Sequence, residues 1–198
     1  MSELLNILSG AMDSGAISQL SEKLGMDEEK TSGAVAAALP LLIKALASNT
    51  EDSDGAKTLS KALEKNHDGS ILEDISGYLN QDNLESGSKI LKHVLGSQLP
   101  VVEKGLGQMT GMDSSKAGSV ISAMAPLVLG AIGKQKNELD LDASGLSSFL
   151  NSENTALFKI DPENLGVLGK LLDTNNDGNI TDDLADIGGK LLKGFLNR

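Results

Sequence analysis

The chain has 198 residues, of which 39% are hydrophobic but only 2% are aromatic, so its core must consist mainly of aliphatic side chains. A formal net charge of −11 repels polyanions, which excludes nucleic acid as an expected partner. The absence of cysteine excludes disulfides, thiolate metal sites and cysteine nucleophiles. The apolar runs at 34–46 and 120–132 are shorter than the roughly 20 residues of a membrane span. Because no signal-peptide pattern opens the sequence, we expect a cytoplasmic protein.

Two blocks of the sequence occur twice. The first recurs with an offset of 86 and the second with an offset of 109; the paired ranges are 4–10 with 90–96, 24–30 with 110–116, and 59–71 with 168–180. Because the offsets differ by 23, the second copy carries an insertion, which we place within 134–161. We therefore predict an all-α, multihelical, pseudo-symmetric domain formed by internal duplication, with units at 1–86 and 87–198 packed as one body.

Apolar residues at helical spacing predict a series of helices in both units. The first pair of helices is predicted to end at Gly25. Asp27 and its repeat Asp113 are expected N-caps of the helices that follow, because a carboxylate oxygen can accept from the first free N–H groups. Each cap precedes an almost wholly apolar helix, which should be the buried centre of its unit. Pro40 and Pro126 lie inside these helices, and we expect each to kink or split its helix because it removes a backbone donor.

Shorter helices are predicted after the apolar ones. Their ranges are 56–65, 71–79, 83–95 and 97–109, then 143–150, 162–172 and 182–196. Residues 48–54 are predicted to form an acidic surface loop. The end of the chain resembles an earlier helix, since 189–196 is similar to 88–95, and a terminal helix of this kind would complete the packing of the second copy.

The sequence resembles a known bacterial family. The similarity lies in the repeated Gly-x-Asp helix starts, the proline-containing Ala/Leu helices and the string Gly-Ser-Lys-Ile-Leu-Lys-His-Val-Leu-Gly at 87–96. These features are similar to the YidB-like family, domain of unknown function 937, with two family-like units in tandem over most of the chain. The resemblance implies a bacterial, all-helical protein and brings no activity and no catalytic residues to transfer.

An acidic segment near the C-terminus begins like an EF-hand calcium loop. Oxygen-bearing side chains occupy ligand positions 1, 3 and 5, a carbonyl stands at position 7, and a carboxylate could close the loop early; these residues are Asp173, Asn175, Asp177, Asn179 and Asp183. Position 12 departs from the motif, because Leu184 replaces the bidentate glutamate.

A structural turn between two helices explains the same segment. Asn and Asp side chains stabilise turns through local backbone hydrogen bonds, and Gly178 would take a positive φ. The first copy keeps the turn at 64–71 with weaker ligands, which favours this interpretation. The two histidines have no partner at zinc-ligand spacing. We expect His67 in solvent, in the polar turn, and His93 packed in its apolar helix or at its edge.

No residue pattern typical of catalysis occurs in the sequence. The serines lack a recognisable base partner, and the glycine pair 188–189 follows no strand, so these glycines should mark helix ends or close helix contacts. We predict a non-enzymatic helical binding or scaffold protein with a protein or peptide partner and no cofactor. The alternative is a calcium-stabilised helical domain using 173–183, whose melting temperature calcium would raise.

Overall fold

The computed structural model describes residues 2–81 and 84–160, with side chains described as far as Leu157. Within these residues the chain is all-α, as predicted, and has no strand. Two 3-10 turns, Ser70–Glu73 and Gly96–Gln98, accompany nine α-helices: α1 Glu3–Ala11, α2 Ser14–Leu24, α3 Glu28–Asn49, α4 Ser53–Asn66, α5 Ile75–Asn80, α6 Leu84–Leu95, α7 Leu99–Thr110, α8 Ser114–Glu138 and α9 Ala143–Ile160.

The same end signals separate the helices in both copies. Gly25 and Gly111 end α2 and α7 in the left-handed region, with φ of 60° and 67°, which glycine adopts without a Cβ clash. Asp27 and Asp113 then cap α3 and α8, each accepting from the backbone N–H three residues ahead at 3.1 and 2.9 Å. These matching boundaries are what a duplicated unit requires, while the superposition of two complete units stays a prediction.

The two apolar helices form the centre of the fold. α8 packs against α3, α6 and α7, and α3 also packs against α9. Every residue of 120–132 is buried, and 34–46 is buried apart from three positions on one face. The predicted role of these segments as the buried core is confirmed, and Leu, Ile, Val, Ala and Met supply the packing, as expected from the scarcity of aromatic residues.

Among the described helices, α3 and α8 are long and apolar enough to cross a membrane by length and composition alone. They have 22 and 25 residues, so both exceed the apolar runs recognised in the sequence. Of their most apolar windows, 67% and 89% are buried inside the fold. Core helices of a compact fold pass the same test of length and composition, so these values describe core helices.

The predicted loop at 48–54 is wrong at both ends. α3 continues to Asn49, and α4 already begins at Ser53. The connecting Thr50 is buried, because its hydroxyl donates to the carbonyl of Ala47 at 2.7 Å and so extends the helix end. The polar residues of this stretch therefore form two helix ends and a short connection.

α9 is longer than the predicted helix at 143–150. It continues to Ile160 because Leu146, Leu150, Glu153 and Leu157 lie at helical spacing and form one buried face. The helices predicted at 162–172 and 182–196 lie outside the described residues.

The buried Glu153 of α9 caps the start of α1. Its carboxylate accepts from the hydroxyl of Ser2 at 2.6 Å and from the backbone N–H groups of Leu4 and Glu3 at 2.8 and 3.1 Å. Free N–H groups at a helix start attract negative charge, which compensates the burial of this carboxylate. A polar residue in the middle of α9 thus joins the two ends of the described chain.

We predict that Leu127→Ala lowers the free energy of unfolding by about 2–5 kcal/mol, the usual cost of a large-to-small change in a core. Leu127 is fully buried in α8, and Leu41 in α3, at 3% exposure, should behave alike. Chemical denaturation measures the effect. The control is Val101→Ala at a position with 41% exposure, which should change stability by less than about 0.5 kcal/mol. Equal effects at both positions would contradict the assigned core.

Candidate functional site

Pro126 interrupts the hydrogen bonding inside α8 without splitting the helix. Because proline has no backbone N–H, the carbonyl of Ser122, four residues earlier, lacks its usual donor. α8 nevertheless continues from Ser114 to Glu138, so the split expected as one outcome does not occur. The next carbonyl, that of Ala123, accepts from the Tyr78 hydroxyl at 3.0 Å. Burial raises the pKa of Tyr78 to about 12, so the hydroxyl retains the proton that it donates.

α6 lies against this stretch of α8 at Gly87. A Cβ atom on Gly87 would collide with the carbonyl oxygen of Ser122, so only glycine permits this approach of the two helices. Leu91 and Leu95, further along the same face of α6, are buried beside it. α6 therefore covers the carbonyl that Pro126 leaves without a helical donor.

Pro40 creates the same situation in α3. It occupies the repeat position of Pro126 and leaves the carbonyl of Ala36 without its helical donor. α3 also continues past its proline, to Asn49. The two helices therefore share one backbone feature, which makes the surroundings of their prolines directly comparable.

The face of α3 around Pro40, which we call the open face, is not covered as its repeat is. Its residues are exposed or half-buried: Ser32, Gly33, Ala36, Ala37 and Pro40. In α8, four of the five equivalent residues are buried and Ser119 is half-buried; the buried ones are Gly118, Ser122, Ala123 and Pro126. Within the described part of the chain, no atom from another element lies within 4 Å of the Cβ position of Gly33. The open face could thus accept a further helix.

A cleft of about 490 Å³ continues the open face towards the start of α3. Its lining residues are Met12, Ser14, Ile17, Glu28, Glu29 and Ser32. Met12 and Ile17 are almost fully buried and form an apolar floor, whereas Glu28 and Glu29 are exposed at the rim. The first turn of a helix stabilises such carboxylates through its dipole. The cleft therefore combines an apolar floor with negative charge.

The equivalent place in the second copy is filled by the protein itself. Serines replace both glutamates of the rim, and Glu103 replaces Ile17. The Glu103 oxygen Oε1 lies only 2.7 Å from the position that a Cβ of Gly118 would take. Burial raises the pKa of the Glu103 carboxyl, in keeping with its position over α8. The acidic, open end is therefore a property of the first copy.

The predicted metal ligands Asp173, Asn175, Asp177, Asn179 and Asp183 lie outside the described residues, so calcium binding there stays a prediction. Among the side chains that are described, no three of His, Asp or Glu come together as a metal site would require.

The first copy of the acidic turn is described, and its aspartate has a structural role. Asp68, the repeat of Asp177, accepts through Oδ1 from the hydroxyl of Ser70 at 2.7 Å and from its backbone N–H at 3.0 Å. These two hydrogen bonds, the hydroxyl one first, lower the pKa of Asp68. The carboxylate thus stabilises its own turn, which favours the structural interpretation for this copy.

Backbone contact anchors this turn to α8. A Cβ atom on Gly133 would collide with the carbonyl oxygen of His67, so a glycine again permits close packing. The Asn137 side chain donates to the carbonyl of Asp68 at 3.2 Å. The packing of the turn on α8 therefore gives the conformation of the turn a structural role that requires no ligand.

His67 is less accessible than expected, and His93 is not packed in the core. His67 is half-buried because its turn packs on α8, and burial lowers its pKa against the opposing effect of the Asp68 charge. His93 is exposed, because α6 directs Leu91 and Val94 into the core and His93 to the other side. The spacing of the apolar residues in α6 accounts for the location of His93, whereas the location of His67 depends on the packing of its turn on α8.

The sequence predicts only some of the contacts around the prolines. Ala36 and Ser122 lie four residues before prolines that occur at the same place in both copies, so their free carbonyls were open to prediction. Gly87 and Tyr78 give no comparable signal. Which of the two free carbonyls another helix covers depends on tertiary packing.

A family model described as "Bacterial protein of unknown function (DUF937)" matches residues 6–135. The match begins in α1 and ends in α8, so it includes α6 and both proline-containing helices. No curated protein and no solved structure matches the chain.

We predict that Gly87→Ala lowers the free energy of unfolding by about 1–3 kcal/mol, as overpacking does, because the new methyl group collides with the Ser122 carbonyl. Gly10→Ala in α1 is the matched control, since nothing described lies within 4 Å of its Cβ position. It should be neutral or stabilise the protein by up to about 1 kcal/mol. Urea denaturation of both variants measures the difference, and a neutral Gly87→Ala would refute the close contact.

For the acidic segment, we expect calorimetric titration with millimolar Ca²⁺ to give no heat that depends on Asp177, because a turn explains its repeat at Asp68. Asp68→Ala and Asp177→Ala should each lower the melting temperature to the same extent with and without calcium. Heat seen in the wild type and in Asp68→Ala but lost in Asp177→Ala would establish a calcium site. Without the closing glutamate its affinity would be weak, roughly millimolar.

Proposed function

We infer that this chain, which belongs to the DUF937 family of bacterial proteins of unknown function, is a non-enzymatic binding protein for a helix of a protein or peptide partner. The observation that carries this proposal is the difference between the open face of α3 and its covered repeat on α8. Both faces have a proline and small side chains. One already holds a helix, α6, and the other is accessible.

The contact of α6 with α8 indicates the chemistry that a partner helix needs. It should have glycine opposite Ala36, as Gly87 lies opposite Ser122, followed by apolar residues on the same face. Basic residues at one end would complement Glu28 and Glu29 at the rim of the cleft. Complementary charge would favour encounter and orientation more than affinity, and its effect should weaken with salt.

The use of charged groups supports a binding role over catalysis. The buried Glu153 caps α1, and the exposed Asp68 closes its own turn. Lys136, whose side chain is only 10% exposed, forms a 2.8 Å ion pair with Glu64. Each of these charged groups therefore has a partner that holds the fold together.

We retain the duplication as part of this proposal, with two YidB-like units that serve different purposes. The repeated caps, glycines and prolines support it, although the family match is one continuous range that extends over both halves. In this interpretation the second unit provides the covered core and the first unit provides the binding face.

We predict that a synthetic peptide with the sequence of α6 and Gly96, residues 84–96, binds the full-length chain at the open face. In a ¹⁵N-labelled sample the largest amide shift changes should occur at Gly33, Ala36 and Ala37, because these residues repeat the α8 surface that α6 covers. The same peptide with Gly87→Val should cause no such shifts, since its side chain would meet the helix backbone.

Ala36→Glu tests the face itself and should abolish the peptide-induced shifts, whereas Gln108→Glu on the exposed side of α7 adds the same charge and should leave them unchanged. Circular dichroism checks that both variants are folded. Shifts that are spread over α8, or that are equal for the glycine and valine peptides, would refute the proposed function.

A further inference from the structure

The C-terminal segment, residues 185–196, has the sequence features of the helix that covers α8. With an offset of 101, Lys190, Leu192, Lys193 and Leu196 coincide with identical residues of α6. We propose that this segment binds the open face of α3 in the same chain, as α6 binds α8. The inference uses the same face as the proposed function but does not require a foreign partner.

Gly188 is the strongest point of the likeness. It falls on Gly87, the position where a Cβ atom would collide with the Ser122 carbonyl. With the repeat offset of 86, the residue of the first copy at this position is Met1. The first copy therefore has no glycine at this position of its sequence, and the C-terminal segment has one.

Charge favours the same pairing. The chain as a whole carries a net charge of −11, but after Asp186 its charged side chains are all basic: Lys190, Lys193 and Arg198. The cleft at the end of the open face carries the exposed Glu28 and Glu29, where the second copy has serines. The basic residues of the C-terminal segment thus complement Glu28 and Glu29 at the rim of the cleft.

The connection is long enough for binding within one chain. α9 packs against α3 and is described as far as Ile160. The residues from there to 185 could span up to about 80 Å when extended, whereas α3, with 22 residues, is about 33 Å long.

Paramagnetic relaxation in the full-length chain tests the contact. Because the sequence has no cysteine, Lys190→Cys provides a single attachment point for a nitroxide. We expect loss of the amide signals of Gly33, Ala36 and Ala37. As a positive control, a nitroxide at Lys89→Cys, on the exposed side of α6, should remove signals from the α8 residues around Ser119.

Two adjacent glycines provide matched variants. Gly188→Ala in the labelled chain should restore the α3 signals, whereas Gly189→Ala should not, because Gly189 falls on Ser88, where a side chain is accommodated. Both changes raise helix propensity equally, so only the close contact distinguishes them. Gly188→Ala should also strengthen binding of the 84–96 peptide. An equal response of the two variants, or no signal loss in the parent, would overturn the inference.

Mixing experiments identify the occupant. In this experiment a ¹⁵N-labelled chain without a nitroxide is mixed with a nitroxide-bearing chain at natural isotope abundance. The ¹⁵N-labelled chain should keep its α3 signals if the contact is within one chain. Loss of these signals would show that a second copy is the occupant, against the inference. If the parent chain shows the intramolecular signal loss but the peptide does not bind the Gly188→Ala variant, only the proposed function is refuted. Peptide binding without that signal loss would refute only the C-terminal contact.

Discussion

The missing backbone N–H groups of Pro40 and Pro126 are the constraint on which the packing of this protein depends. Each proline leaves a carbonyl without a donor inside a central helix, and such a group is costly in an apolar core. In α8 the surrounding elements cover this stretch: the Tyr78 hydroxyl donates to the neighbouring carbonyl of Ala123, and Gly87 lets α6 lie directly on Ser122. In α3 the corresponding residue, Ala36, is exposed, so water can reach that part of the backbone.

Close backbone contact accompanies a core with few aromatic residues. Large rings are scarce, and elements approach α8 where a glycine removes the side chain from one partner. Gly87 of α6 allows one such contact, and Gly133 of α8 allows another, with the carbonyl of His67. Both contacts are therefore sensitive to the addition of a single methyl group, as expected for a close-packed interior.

The functional proposal follows from unequal use of one repeated surface. The two proline-containing helices have equivalent caps and small residues, yet α6 covers one of them, and the open face of the other continues into an acidic cleft. Since the local sequence is similar, the difference arises from what packs on each helix. Under the proposal, one of the two similar surfaces serves the core and the other is presented to a partner.

The sequence by itself determined the helical class, the caps at Asp27 and Asp113 and the two buried apolar helices, because spacing and capping are local properties. Only the tertiary structure decided the partner of Glu153, whose carboxylate caps α1, and the half-buried environment of His67, whose turn packs on α8. It also decided which proline-containing helix is covered. These features depend on contacts between residues that are distant in the chain, and the polarity of neighbouring residues does not encode them.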